Sequence, residues 1–281
     1  VPSPGNFPKH GGVREHLLQL YNCIGASNKV QLAPSVALAS VIHVESSYTS
    51  NGRRPDIYTC HGGFLPVPID NVLRNLKQAR VIVSVAKWIA DQYFPQYAHK
   101  TIIIPNGVNL RAWENLPPSG LEPGYVLYAK EWPYYIEDFV WLTAAAPELQ
   151  FVTTLWPEAL QVPSNVQVIG LQSRKEIRSV LNDAACLLLT GPEVCPTMLL
   201  EAWACKKPVL ANSVGGAKEL MVDDGHQCIG GGFLYGDKAE ILYMVHELLA
   251  EQCDRGQGGY ERVVAKYQWK DLFKTYEMLY E

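Results

Sequence analysis

The stretch Thr190–Ala211, TGPEVCPTMLLEAWACKKPVLA, decides how this chain is read. Just before it, Ala184–Thr190 is an apolar run that stops at Gly191-Pro192. Glu193 and Pro196 follow, then a helix-patterned segment carrying Glu201, then a second apolar run, Pro208–Ala211. Strand, loop, helix and strand in such quick succession read as one parallel crossover unit. One acid sits in its loop and another on its helix. Ligands of open parallel sheets bind at the carboxyl ends of the strands, so Glu193 and Glu201 are candidates to face a ligand. Read alone, the pair is also compatible with a loop acid and a solvated helix acid.

The same alternation extends in both directions. Upstream lie strands at Tyr125–Tyr128, Leu149–Thr154 and Val166–Ile169, the last ended by Gly170, with helices at Ile136–Ala145 and Arg174–Leu181. Downstream, Ser213-Val214-Gly215-Gly216 leads to a helix at Ala217–Met221, then Asp223-Asp224-Gly225, a strand at Phe233-Leu234 and a helix at Lys238–Glu251. The best linker is Leu116–Gly124, LPPSGLEPG.

Before the linker the pattern runs through a loop to Gly12, a helix at Val13–Tyr21 and an apolar strand candidate at Ser35–Val44. After the polar loop Ser46–Pro55 comes the strand Asp56–Cys60, ending in His61-Gly62-Gly63. Helices at Ile69–Ala79 and Lys87–Tyr93 alternate with strands at Val81–Val85 and Thr101–Pro105, closed by Asn106-Gly107. Gly11-Gly12 at a helix start suits a closely approaching anion, or is simply a flexible turn. His61 at a strand's carboxyl end is a ligand contact, or a hydrogen-bonded structural histidine.

The chain therefore predicts an α/β architecture of two Rossmann-like halves around a cleft, residues 1–116 and 117–265. The last helix, Tyr267–Tyr280, has core-type aromatics. The polar stretch Glu251–Gly259 would let residues 266–281 leave the second half and pack back on the first.

The 281 residues are 48% hydrophobic with a formal net charge of −4, which leaves no basic field for nucleic acid. The seven cysteines form no C-x-x-C pair, and they read as reduced thiols in a cytoplasmic protein without a structural disulfide. No apolar run reaches the roughly 18 residues that span a bilayer, although peripheral membrane contact stays open. The polar, Pro/Gly-rich N-terminus does not read as a signal peptide.

With these pieces placed, the second half resembles the retaining glycosyltransferases of the GT-B fold, in particular glycosyltransferase family 4. Glu193–Glu201 matches their Glu-(seven residues)-Glu motif, and EAWACKKPVLA and SVGGAKELM resemble its flanks. NVQVIGLQSRKEIRSVLNDAACLLLTGPE resembles the stretch that leads into it. The first half agrees more loosely, at Gly11-Gly12-Val13, Ile42-His43-Val44, Tyr58–His61 and Ile104–Asn109.

The resemblance implies a nucleotide-sugar donor (UDP-, GDP- or ADP-linked), a hydroxyl acceptor and no metal. It implies that Glu193 holds the sugar's hydroxyls and Glu201 the ribose. The N–H groups of Thr197 and Met198 would face the donor phosphates or sugar, and Gly170-Leu171 would lie near the nucleobase. His61 would contact the sugar at the reaction centre, Gly11 or Gly12 would admit the diphosphate, and Lys130 would be its cation. Catalytic roles thus fall to His61, Glu193 and Lys130.

Three positions depart from the family: Tyr135 stands where a second phosphate-binding Lys is usual, Lys206 where Gly is usual, and Ala86 where Ser is usual. The N-terminal half is also short beside the family's, so its acceptor pocket is expected to be reduced, open or completed by a partner. Two other classes compete: a sugar-nucleotide-binding or scaffold subunit without catalysis, and an enzyme active only with a partner. A glycoside hydrolase using both acids fits less well, because the flanks of both carry the transferase pattern.

Overall fold

Residues 11–34, 39–45, 53–62, 69–130, 134–222, 230–250 and 252–281 are described by a computed structural model of the chain. The N-terminal loop to His10, most of the Ser46–Pro55 loop, Gly63, Trp132 and Asp223-Asp224-Gly225 lie outside the described residues. The chain divides into two units. One comprises Val1–Asn109, Val194–Pro196 and Lys266–Glu281; the other comprises Leu110–Glu193 and Thr197–Ala265.

The first unit holds a four-stranded parallel sheet ordered β1 (His43–Glu45), β2 (Ile57–Cys60), β3 (Val81–Ser84) and β4 (Thr101–Ile103). Helices α1 (Gly11–Ala26), α2 (Ile69–Gln78) and α3 (Lys87–Tyr93) belong to the same unit. Parallel strands need crossover helices and lie between covering layers, so a buried strand such as β3, VIVS, reads as an apolar run rather than an alternation. Leu20 and Ile24 of α1 pack in one core with Ile57, Val83, Trp269, Phe273 and Tyr276. The last three come from the chain's final helix, α10 (Trp269–Tyr280).

Two expectations change here. Of the apolar run Ser35–Val44, residues 35–38 lie outside the described residues, and in the rest β1 starts only at His43. Asp56 Oδ2 takes the Ile42 N–H at 2.9 Å, while the Asp56 and Ile57 N–H groups donate to Ile42 O at 2.8 and 3.1 Å. Ile42 O is thus the first acceptor of the β1–β2 ladder, while the Ile42 N–H is taken by the Asp56 side chain rather than by a further strand pairing. Gly11 and Gly12, expected as a loop, form the first turn of α1 itself.

The second unit is a six-stranded parallel sheet ordered β10-β9-β8-β5-β6-β7. Its strands are β5 (Val126–Tyr128), β6 (Phe151–Thr153), β7 (Val166–Val168), β8 (Cys186–Leu189), β9 (Val209–Asn212) and β10 (Gly232–Tyr235). The connecting helices are α4 (Glu137–Ala145), α5 (Arg174–Asp183), α6 (Thr197–Ala204), α7 (Gly215–Met221) and α8 (Lys238–Ala250). Tyr128, Phe139, Phe151, Leu188, Leu210 and Tyr235 anchor its core, with Tyr128 stacked on Phe139 at 4.3 Å.

The polar, glycine-rich stretch read as a tether is instead part of α9 (Gln252–Lys266). Glycine is a poor helix former, so propensity alone argues against this. Its glycines are explained by close approach. A Cβ at Gly256 would lie 1.9 Å from Lys206 O, and one at Gly259 would lie 2.2 Å from the Trp203 ring. Trp203 is fully buried and its Nε1–H donates to Gly231 O at 2.7 Å.

The end of α6 explains one departure from the family. Lys206 has φ +57°, the left-handed position that usually favours Gly. The Lys207 N–H donates to Ala202 O at 2.8 Å and the Lys206 N–H to Trp203 O at 2.9 Å, the paired bonds of a Schellman motif. Lys206 Nζ lies 5.0 Å from the centroid of the Tyr260 ring on α9, a cation–π contact that offsets part of the left-handed strain.

No helix among the described residues is long and apolar enough to cross a membrane. Cys23, Cys60, Cys186, Cys195 and Cys205 are free thiols, and burial pushes Cys60 up to about 11 and Cys186 up to about 12.

Gly256 gives a direct test of the packing. In an exposed helix Gly→Ala stabilises by up to about 1 kcal/mol. Here the added methyl meets backbone, and overpacking costs about 1–3 kcal/mol. Gly256→Ala is therefore expected to lower the thermal unfolding midpoint; a raised midpoint would refute close packing of α9.

Candidate active site

The strand order of the second sheet reverses between β5 and β8. Crossovers on the two sides of such a reversal diverge, and the carboxyl ends of the two strands flank the crevice they leave. Lys130 follows β5 and Glu193 follows β8, so the topology alone brings these two to one place. Thr154, just past β6, fixes the Lys130 backbone: the Lys130 N–H donates to Thr154 Oγ1 at 2.9 Å, and that hydroxyl donates to Lys130 O at 2.6 Å. Lys130 Nζ then donates to Thr190 O at 3.2 Å and ion-pairs with Glu193 Oε1. The Lys side chain is 14% exposed and the Glu side chain 32%, so the pair is partly desolvated and open at one side.

The loop around Glu193 is held from two directions. Gly191 has φ +72°, and a Cβ there would fall 2.3 Å from the Tyr135 ring, so the ring lies flush on the glycine. Tyr135, where the family has a second cation, thus supplies a half-exposed aromatic wall beside the loop instead. From the other side the Gly216 N–H, in the first turn of α7, donates to Glu193 O at 2.6 Å. The SVGG turn and the acid loop are therefore one hydrogen-bonded assembly.

Thr197 and Met198 begin α6, one residue after Pro196, with both side chains partly buried. Pro196 therefore precedes the first helical residue rather than being it. Glu201, one turn on, is buried and forms a bidentate pair with the Arg174 guanidinium, Nη1 lying 3.3 Å from Oε2 and Nη2 against Oε1. Two parallel bonds fix both planes. Arg174 starts α5, whose N-terminus is set by a capping box: Glu176 N–H to Ser173 Oγ at 3.3 Å and Ser173 N–H to Glu176 Oε2 at 2.8 Å. Gly170, with φ +71°, and the exposed Leu171 lie between β7 and this helix.

The first unit holds a second polar centre, built on Glu45 at the end of β1. Glu45 is fully buried, and three imidazoles surround it. His61 Nε2 is 2.8 Å from Oε2, His43 Nε2 is 3.0 Å from Oε1 and His16 Nε2 is 3.8 Å from Oε1. His43 also bonds the Tyr280 hydroxyl at 2.6 Å and Thr59 Oγ1 at 2.7 Å. His16 bonds Asn106 Oδ1 at 3.1 Å, the Tyr276 hydroxyl at 3.3 Å, and meets the Trp269 ring edge-on at 4.8 Å.

Burial by itself would raise the Glu45 carboxyl, but the imidazoles of His43 and His16 and the hydrogen bond from His61 outweigh it. The group is held below the usual carboxylate range. Burial, then the neighbouring His61, drives His16 down to about 3, so its ring is neutral at physiological pH.

His16, Glu45 and His61 place donor atoms within 4.8 Å of one another, a set that could in principle hold a metal ion. Zinc ligands on bonds of about 2.0–2.1 Å keep about 3.3 Å apart at tetrahedral angles. Within this set the His61–Glu45 contact, 2.8 Å, is shorter than that and matches a hydrogen bond.

Of the residues singled out by sequence, Lys130, Gly170, Leu171, Glu193, Thr197, Met198 and Glu201 lie in the second unit, and Gly11, Gly12 and His61 in the first. Sequence reading missed Glu45 and its partners His16, Asn106, Tyr276 and Tyr280, which come from four distant segments. The one available signal was an acid closing the apolar run before Ser46. The pairing of Arg174 with Glu201 was missed as well.

Residues 148–247 match the family model described as glycosyl transferases group 1. Comparison with curated protein sequences gives no match. Among solved structures, Anabaena HepE in complex with UDP and glucose is 17% identical, with a TM-score of 0.63 over 79% of this chain and 70% of that one. Sucrose-phosphate synthase from Thermosynechococcus elongatus is 17% identical, with a TM-score of 0.68 over 97% and 80%. A glycosyltransferase from Rickettsia africae is 15% identical, with a TM-score of 0.67 over 98% and 83%. At these identities the likeness is one of fold. Residues 148–247 are thus similar to the glycosyl transferases group 1 family, and the chain shares the GT-B fold of the glycosyltransferases it resembles.

Proposed function

We propose that this chain transfers a sugar, with retention of anomeric configuration, from a nucleotide-diphosphate donor to an acceptor hydroxyl. The observation that carries the reading is the Lys130–Glu193 pair at the strand-order reversal, with Glu193 inside the segment that matches the family. In a front-face displacement the bond from the anomeric carbon to the phosphate oxygen breaks as the acceptor oxygen bonds to the same face. The acceptor's proton passes to the departing phosphate oxygen, so no separate base is required.

Each residue then has one task. Lys130 retains donor capacity beyond Thr190 and Glu193, since an ammonium carries three N–H groups, and it meets the diphosphate. Negative charge grows on the leaving group in the transition state, so a cation placed there lowers the barrier more than it aids binding. The N–H groups of Thr197 and Met198 add the positive end of α6. These groups take the place that a metal fills in other transferases. Glu193 orients the sugar through its hydroxyls, and His61 and the Gly11-Gly12 turn of α1 act at the reaction centre.

Glu201, held by Arg174, accepts the ribose hydroxyls. The base near Gly170-Leu171 is proposed to be uracil, by analogy with the UDP bound by HepE. Tyr135 in place of a second cation favours one alternative, a subunit that binds a sugar nucleotide without cleaving it.

A thermal-shift panel of UDP, GDP and ADP checks the donor. A ligand at 100 times its Kd stabilises by about 2.7 kcal/mol, so UDP is expected to raise the unfolding midpoint most. No shift with any of the three would remove the nucleotide-sugar reading. A shift without release of nucleotide from any sugar nucleotide would favour the binding subunit.

The two acids should separate in mutants. Charge-assisted hydrogen bonds contribute about 1.5–3 kcal/mol, so Glu201→Gln is expected to weaken UDP binding by roughly 10- to 100-fold. Glu193→Ala is expected to leave UDP affinity within about threefold while abolishing slow hydrolysis of the sugar nucleotide. Unchanged hydrolysis in Glu193→Ala would sink the assignment of Glu193 to the sugar.

A further inference from the structure

The protons around Glu45 can be placed from their neighbours. Asn106 Nδ2 donates to Cys195 O at 2.8 Å, so the amide oxygen is the atom facing His16. His16 Nδ1 must then carry the proton of their 3.1 Å bond, because that oxygen only accepts. The neutral ring is left with a lone pair on Nε2, so His16 cannot donate to Glu45 across the 3.8 Å between them. Its Nε2 serves instead as acceptor for the Tyr276 hydroxyl at 3.3 Å.

Glu45 Oε1 accepts no aligned hydrogen bond among the described residues, although His43 Nε2 lies 3.0 Å away. That leaves His61 Nε2, 2.8 Å from Oε2, as the aligned donor to a fully buried carboxylate. A carboxylate in such a place is costly unless hydrogen-bonded.

We propose that Glu45 is a positioning residue that keeps the proton of His61 on Nε2. His61 then presents Nδ1 as a hydrogen-bond acceptor for a hydroxyl of the substrate. The His61 ring is also held in place, meeting the His16 ring edge-on at 4.5 Å. A histidine of this form accepts from a neutral sugar hydroxyl through Nδ1; it does not donate to a phosphate oxygen there. The substrate clause rests on the reading of His61 as the histidine at the reaction centre. The placement of the proton does not.

Long-range 15N–1H spectra of 15N-histidine-labelled protein read each ring's tautomer directly. The His61 signals are assigned by their loss in His61→Gln, and the spectra are followed to the high-pH limit where the ring is neutral. Wild-type His61 is expected as the Nε2–H tautomer. In Glu45→Gln, whose amide can turn either face to the ring, both tautomers are expected.

A wild-type His61 protonated on Nδ1, or shifts of a metal-bound ring, would overturn the proposal. So would an unchanged tautomer in a folded Glu45→Gln. The wild-type spectrum decides the matter even if that variant does not fold. Where sugar-nucleotide cleavage is measurable, Glu45→Gln should lower kcat by up to about 100-fold, as misplacement of a reacting group does, with KM within about threefold. Equal losses in UDP binding would point to a merely structural role and overturn the proposal. The Nε2–H tautomer together with absent nucleotide binding would leave the proton placement standing and remove only the transferase reading.

Discussion

Parallel strands constrain everything else in this protein. Each must be joined to the next by a crossover, so all carboxyl ends collect at one edge of the sheet. Both sheets here are parallel throughout their described pairings. Glu45 and His61 therefore share an edge although β1 and β2 are separate segments. Lys130 and Glu193 share one across 63 residues of chain. The strand register brings both pairs to one edge, and the Gly191 turn then carries Glu193 onto Lys130.

The buried acids show three ways of tolerating a carboxylate. Glu201 is matched by a planar, bidentate guanidinium that stays one-third exposed. Glu193 meets a flexible ammonium and remains open to water and ligand. Glu45, without any exposure, is surrounded by imidazoles that share polar work with tyrosine, threonine and asparagine side chains. Taken from exposed to buried, as Glu193, Glu201 and Glu45, the partners change from a flexible point charge to a fixed hydrogen-bond network, as desolvation costs require.

Much of this was legible in one dimension. The run from β8 through α6 to β9 shows its elements by apolar blocks and turn residues, and Glu193 and Glu201 stand out because strand ends are where acids have work to do. The glycines of α9 were misread because local propensity treats them as breakers. Their reason for being there is the Lys206 carbonyl and the Trp203 ring, some 50 residues away in sequence. Lys206 carries the same lesson: a left-handed helix end is compatible with a lysine when Tyr260 of another helix receives its ammonium. The short β1 was overestimated because hydrophobicity does not reveal that Asp56 would take the backbone donor of Ile42.

The sequence by itself determined the alternation of strand and helix, the parallel sheets it entails and the spacing that sets Glu193 and Glu201 on opposite sides of a helix start. These are local consequences of periodicity and turn chemistry. Only the tertiary structure decided that Lys130 meets Glu193, that Arg174 belongs to Glu201, and that His16, His43, His61, Asn106, Tyr276 and Tyr280 surround one carboxylate. Protons in a buried network are assigned by distance and direction between atoms, and residues 260 positions apart carry no sequence signal of lying 3.3 Å from each other.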